Sequence, residues 1–293
     1  MKKAIITIPH IQVTHASLHH GPFVWGFPSH LAWLGLMDAM NRQLEGISLT
    51  AVSVVNHRFE PNTSTNDKGY LDSLSGPRFS LKKNGKTDSF QPAQTGHANI
   101  ELSVVFVTSY EGDIEDTIAT VSSLLQRMRF AGGAIFRGWK PWAFPLTGDV
   151  EKDAGTFVKE RKRWLVGSVM TLCPNLLMEH WDTLKTDESN VSKLDAWMDL
   201  FALHTGEDGK KYRKKEGWLV PITTGYQVVS PIYPAGQIKG ARDSVTNFAL
   251  SENIWDVAQW VSPVQIDDIS KMFVQSSYNP QTRTYRCIPM STT

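Results

Sequence analysis

An amphipathic helix that runs straight into a double glycine limits the fold of this chain more than any other feature. Ile114, Ile118, Val121, Leu125 and Met128 fall at i, i+4, i+7, i+11 and i+14, one face of a helical repeat, and Asp113 is placed to cap it. The spacing predicts a helix over residues 113–129, a turn at Gly132-Gly133 and a short apolar strand over residues 134–136. Paired glycines permit positive φ and bring backbone N–H groups close to a ligand. With Arg129 and Arg137 on either side, that ligand would be a phosphate or a nucleic-acid backbone. A plain helix C-cap and turn is the commoner use of such glycines. The nucleic-acid reading therefore needs support from the rest of the chain.

The elements before this run give that support. Residues 4–11 are β-branched and apolar and read as a buried strand; residues 27–44 read as a buried helix, with Pro28 in its first turn and Gly46 beyond its end. Residues 47–55 and 99–108 alternate as strands. The order β-α-β-β-α-β is that of the ferredoxin-like fold used by RNA-recognition domains, an α+β architecture whose helices cover one sheet face and leave the other available. Between the second and third strands lies an insertion of about residues 60–97. From Lys68 to Phe90 it carries five Lys/Arg against two Asp, and Asn84-Gly85 suits a tight hairpin turn. We read it as a projecting basic hairpin arm bearing Lys82, Lys83 and Lys86.

Residues 149–217 look helical, with stripes at Leu176, Leu177, His180, Trp181, Leu184 and at Leu194, Trp197, Met198, Phe201. Two basic runs fall here, Lys159-Glu160-Arg161-Lys162-Arg163 and residues 210–215; such runs are usually solvated faces or mobile loops. Residues 217–233 turn β-like, and residues 248–261 read as a last apolar helix ending before Pro263. The expected organisation is an RNA-recognition-like core over residues 1–140 with the arm inserted at about 60–98. A helical region over 141–216 follows, and a C-terminal β/α segment over 217–293 packs back on the core.

The formal net charge is +1, so the molecule is no polycation and any nucleic-acid contact must come from local clusters. Cys173 and Cys287 are too few for a disulfide framework, and no apolar segment after Met1-Lys2-Lys3 reads as a signal peptide; a soluble cytoplasmic protein is expected. His10, His15, His19 and His20 cluster without a carboxylate or cysteine to complete a metal set, and no cofactor is expected. A phosphate-loop motif, a nucleophile elbow and a dinucleotide fingerprint are all missing. His57 before Arg58 is the best-placed general base for RNA cleavage, although a hydrogen-bonded strand-end histidine is the simpler reading. Trp25-Gly26-Phe27-Pro28-Ser29 reads as an aromatic packing anchor ahead of a helix whose N-terminal N–H groups are open to a phosphate.

Several short runs, in this order, carry a resemblance: Trp25-Gly26-Phe27-Pro28-Ser29, His57-Arg58-Phe59-Glu60 and Met128-Arg129-Phe130-Ala131-Gly132-Gly133, then Gly217-Trp218-Leu219-Val220-Pro221-Ile222, Gly225-Tyr226, Ser230-Pro231, Ala241-Arg242-Asp243 and Trp260-Val261-Ser262-Pro263. Together they resemble the Csy-two type subunit, the Cas-five member of the type I-F CRISPR RNA-guided surveillance complex; residues 140–216 resemble it least. The resemblance implies a non-catalytic RNA-binding subunit that pairs with the large Csy-one type subunit. The pair would hold the 5′ handle of the CRISPR RNA next to Csy-three type backbone subunits and near the place where target DNA is engaged. It implies a glycine-rich loop and a projecting thumb, which Gly132, Gly133 and the arm would supply. The expected RNA-contacting residues are His57, Arg58, Arg129, Gly132, Gly133, Arg137, Lys82, Lys83, Lys86 and Arg242. Two rivals stand beside this reading. One is a metal-independent repeat-RNA endonuclease using His57, and the other is a scaffold subunit touching only protein.

Overall fold

The computed structural model describes residues 1–19, 24–62, 82–83, 86–87, 96–136, 138–164, 166–187, 190–241 and 243–290. The chain begins with β1 (Lys2–Ser17), α1 (His30–Asn41), β2 (Ile47–Pro61), the short β3 (Lys82–Lys83) and β4 (Lys86–Thr87), and β5 (His97–Tyr110). It continues through α2 (Ile114–Leu125), β6 (Arg129–Phe130), β7 (Gly133–Phe136), β8 (Trp142–Leu146), α3 (Val150–Glu160), β9 (Ser168–Leu172), α4 (Leu176–Asp187) and α5 (Lys193–Phe201). The last elements are β10 (His204–Thr205), β11 (Lys211–Tyr212), β12 (Trp218–Val228), β13 (Ser251–Val261), α6 (Ile269–Met272), β14 (Val274–Asn279) and β15 (Thr284–Pro289). The fold is α+β, dominated by an antiparallel sheet of eleven strands among the described residues. Its order is β14-β15-β12-β13-β9-β2-β5-β1-β7-β6, with β8 also paired to β1.

The centre of the sheet is β2-β5-β1, and both of its faces are apolar. Ile6, Ile8, Val52, Val54, Leu102, Val104 and Phe106 meet α1 and α2 on one face. Ile5, Ala51, Val55, Val105 and Val107 are covered on the other by Phe144, Phe157, Trp164 and Phe273. The second face is therefore buried, against the expectation of an open sheet surface, because runs such as Val104-Val105-Phe106-Val107 supply apolar side chains to both sides. Towards the end where β5 starts, Ser103 and Glu101 continue this face with polar groups, and the covering core stops.

Asp113 caps α2 as expected, accepting from the N–H groups of Glu115 and Asp116. The helix ends at Leu125 rather than Arg129: Arg127 and Met128 bond back three residues to Leu124 and Leu125, tightening the last turn before β6. Pro28 lies outside α1, whose N-cap is Ser29. Residues 251–261, expected as helix, form β13, flanked by β12 and β9. Its apolar run has no single face to separate a buried strand from a helix, and pairing on both edges decided the outcome. The stretch read as helical holds α3, α4 and α5 but also sends β9 into the main sheet between β13 and β2. In α5 the buried positions are Ala196 and Leu200, while Leu194 and Met198 are exposed. In the arm, Lys82 pairs with Thr87 and Lys83 with Lys86; the Asn84-Gly85 turn and the rest of the expected arm lie outside the described residues.

Candidate nucleic-acid interface

The glycine run is a hairpin, not a helix C-cap. Phe130 pairs with Gly133, and the intervening Ala131 and Gly132 have φ of 48° and 79°, the left-handed pair that a type I′ turn requires. The two glycines serve different needs. A Cβ on Gly133 would sit 2.6 Å from the Thr14 carbonyl oxygen and 2.9 Å from the Ala16 nitrogen, so its bare Cα is used against β1 and not by a ligand. Gly132 has positive φ and open space around it, and it alone of the pair is available to a visitor. The Ala131 carbonyl accepts from the Ser17 N–H at 2.8 Å and the Gly132 carbonyl from Arg129 Nη1 at 3.2 Å, which holds the turn.

Ala131 borders a cleft of about 400 Å³ that also touches the N-terminus of α1. Ser29 is only 6 % exposed and lines this cleft, yet its hydroxyl makes no capping bond to α1. No acidic residue stands in the first turn of α1, whereas Asp113 and Asp149 cap α2 and α3 through their carboxylates. An N-terminus in this condition turns the positive end of its helix dipole towards the cleft with no acidic group to offset it. His19 forms another wall; its Nε2 accepts the Gly96 N–H at 3.0 Å, which assigns the neutral ring's proton to Nδ1. Burial first, then the neighbouring His97, hold its pKa below the ordinary imidazole value, so the ring stays a neutral donor. Tyr226 and Asn253 complete the rim. A hydroxyl, an imidazole N–H and the positive end of a helix dipole around one cleft suit a phosphate oxygen.

His57 lies elsewhere, at the polar end of the sheet's second face. β1 is bulged between Ile8 and Ile11, and β2 between Asn56 and Arg58, both against β5. The two bulges re-aim His10 (φ 52°) and His57 towards each other over Ser103. Their rings stack at 4.1 Å and 16°, and Trp139 stacks on His10 at 3.7 Å and 25°. His57 Nε2 is 2.7 Å from the Ser103 hydroxyl, and His10 Nδ1 is 2.7 Å from Glu101 Oε1. Burial, aided by His10, pushes the His57 pKa from 6.5 down to about 4. The hydrogen bond from His10 holds Glu101 below the usual carboxylate range. Ser103 is 1 % exposed, so the histidine–serine contact faces inward and offers no nucleophile to a substrate.

The remaining predicted residues scatter. Arg58 is exposed and forms an ion pair with Glu60, Nε to Oε1 at 2.7 Å, which neutralises it locally. Arg129 borders the glycine turn. Arg137 and Arg242 lie outside the described residues, as do the side chains of Lys82, Lys83 and Lys86. Both basic runs are partly spent inside the fold: Arg161 on Asp267 at 2.8 Å, Arg163 on Glu160 at 2.9 Å, and Lys214 on Asp199 at 2.9 Å. Among the described residues no group of three or more His, Cys, Asp or Glu could hold a metal ion. Sequence reasoning missed Trp139, Glu101 and Ser103; a tryptophan directly after Gly138, beside Arg137, was the available signal.

With this geometry in view, comparison with known proteins is specific. A family model described as CRISPR-associated protein (Cas_Csy2) matches residues 6–287. The CRISPR-associated protein Csy2 of Pseudomonas aeruginosa (strain UCBPP-PA14) is 28 % identical over 316 aligned residues, covering 97 % of this chain and 94 % of that protein. The chain belongs to the Csy2 family of CRISPR-associated proteins.

Proposed function

We propose that this chain is a non-catalytic RNA-binding subunit of a type I-F CRISPR surveillance (Csy) complex acting in antiviral defence. In this reading it holds the 5′ handle of the CRISPR RNA together with a large Csy-one type subunit, beside a Csy-three type backbone subunit and near the end where target DNA is engaged. The observation that carries the proposal is family membership over almost the whole chain, residues 6–287. The cleft at the α1 N-terminus supports it, because a serine hydroxyl that makes no capping bond, a neutral histidine donor and the positive end of the helix dipole suit the phosphates of an RNA backbone. We read the β2-β5-β1-β7 unit as a ferredoxin-like, RNA-recognition-type core; its strand order and the placement of α1 and α2 on one face support that assignment.

The chain performs no chemistry in this proposal. His57, the one base singled out, has its Nε2 bonded to a buried serine and one ring face against His10, which keeps it from a substrate hydroxyl. In this proposal the protein acts in the cytoplasm, where its guide RNA is found. Co-expression with the neighbouring genes, purification through a tag on this chain and RNA extraction test the reading. Guide RNA and the partner subunits should co-purify. A chain that purifies without RNA sinks the proposal, and defined cleavage of repeat RNA that is lost in His57→Ala would replace it with an endonuclease.

A further inference from the structure

Trp139 is 67 % exposed, yet it is one of the most firmly mounted side chains on the surface. Its backbone N–H donates to the Pro9 carbonyl at 2.9 Å, across the gap on the β1 edge between β7 and β8. Gly138 makes that approach possible, since a Cβ there would sit 2.1 Å from the Pro9 oxygen. Behind the indole, His10 is stacked on near-parallel planes with both Trp139 and His57, so the two rings occupy opposite faces of its imidazole. The result is a column of three rings. Its inner end abuts Gly167, where an added Cβ would lie 3.0 Å from His57 Nδ1, and its outer end is the open face of a tryptophan. Glu101 and Ser103 pin the two imidazoles edge-on.

Trp139 also walls a cleft of about 560 Å³ against α2, with Lys140, Glu115, Ser122, Ser123 and Gln126 on its rim. A flat ring held from behind, facing solvent, and bordered by hydroxyls, an amide, a carboxylate and an ammonium fits a planar heterocycle with donors and acceptors on its edge. An aliphatic or aromatic protein side chain would leave those polar rim groups without partners. We propose that Trp139 is a stacking platform for one unpaired nucleobase of the RNA, the His10–His57 pair being the positioning residues that hold the indole flat. This rests on the RNA-binding reading above and assigns it a second, base-contacting site, separate from the phosphate cleft at α1. Base stacking tolerates sequence, because every base has a π-face; selectivity would come from Glu115 and Gln126 on the base edge.

The experiment uses the full chain and single-stranded repeat RNAs that carry a fluorescent adenine analogue at one position at a time. In the wild type one position should be strongly quenched. Trp139→Ala should restore its fluorescence and weaken binding by roughly 5- to 150-fold, the range expected from losing one stacked base. Trp139→Phe should keep the quenching, while Trp139→Leu, which still covers His10 but cannot stack, should behave like the alanine variant and serves if the latter melts early. If the wild type binds RNA and the Trp139→Leu profile and affinity match it, the platform is wrong and RNA binding stands. If the wild type binds no RNA, both fail together. If Trp139→Leu leaves RNA untouched but lowers co-purification of a partner subunit, the ring docks on protein and the proposal is overturned.

Discussion

The cleft at the N-terminus of α1 and the column ending in Trp139 are built from opposite materials. The cleft offers the positive end of a helix dipole, a hydroxyl and one imidazole N–H, with a tight turn beside it that keeps side chains away. The column offers three rings and almost no donor aimed outward. Electrostatics and hydrogen bonds would act in the first, dispersion and stacking in the second. The difference teaches that the charged residues most conspicuous in the sequence need not be the contacts. Arg58, Arg161, Arg163 and Lys214 are all paired with carboxylates of the chain itself, and neither site depends on them.

The largest expected effect breaks the cleft through the fold itself. Gly133→Val forces a side chain into Thr14 and Val13 of β1, with first contacts at 2.6 and 2.8 Å. Overpacking of this kind costs about 1–3 kcal/mol, and here backbone must also move. The variant should melt several degrees below wild type and lose RNA together with its hairpin, leaving the column's local geometry as the less affected of the two sites. Gly132→Ala meets no atom but keeps φ at 79°, which costs about 1–2 kcal/mol, so it should be the milder change. Equal melting temperatures for Gly133→Val and wild type would show that the hairpin does not seat on β1.

Ser29→Ala sharpens the comparison, because it separates binding from folding. Replacing an N-cap serine ordinarily costs about 0.5–2 kcal/mol, but this one makes no capping bond, so stability should change by less than about 0.5 kcal/mol. RNA affinity should still fall about ten-fold, as expected for a hydrogen bond lost to a charged phosphate. Combined with Trp139→Leu, the two losses should add in free energy, since the sites share no partner. A large drop in melting temperature with unchanged affinity would make Ser29 a structural cap after all.

The column carries its own signature in pH. His57 has a folded pKa of about 4 against 6.5 when unfolded, so below pH 6.5 the unfolded chain takes up a proton that the folded chain refuses. The resulting destabilisation is absent above pH 6.5 and grows as pH falls towards 4. The groups facing the ring are His10, Glu101 and Ser103; Glu101, with its lowered pKa, begins to lose its own stabilising contribution as pH falls into the ordinary carboxylate range, at the acid end of this window. Denaturant unfolding followed between pH 7 and about 4 should therefore show a decline that His57→Gln flattens. An identical slope in both proteins would mean that His57 titrates freely and the stack is open.

Much of this architecture was readable from pattern. The periodic face of α2 and its Asp113 cap, the strands β1, β2 and β5, and the pairing of Lys82 with Thr87 and Lys83 with Lys86 follow from local rules. β13 was not readable, because Ile254, Trp255, Val257, Ala258 and Trp260 supply apolar groups without a period that separates a doubly paired strand from a helix. The covered second sheet face was hidden for a related reason: Val105 and Val107 signal burial, but not by what. At the sites, Gly132 and Gly133 drew notice for one shared purpose, and only their surroundings show that one serves φ and the other close approach. The column was invisible since it joins residues 10, 57, 101, 103 and 139 through two bulges, and bulges shift register without marking the sequence.

The smallest expected effect tests whether charge at either site matters at all. Arg129 is exposed beside the glycine turn and, among the described residues, bonds the Gly132 carbonyl through Nη1, so its guanidinium keeps donors to spare for a phosphate at the cleft side of the molecule. Arg58 is two residues from Glu60 and ion-paired with it in solvent, an arrangement worth about 0–1 kcal/mol to stability. Neither alanine variant should disturb the fold. Arg129→Ala should make the slope of log affinity against log salt shallower by about one phosphate contact. Arg58→Ala should leave that slope unchanged, because the carboxylate of Glu60 already offsets the charge, and Glu60→Gln should then steepen it by freeing Arg58. Equal slopes in Arg129→Ala and wild type would remove the hairpin arginine from the interface and leave the cleft to its neutral donors alone.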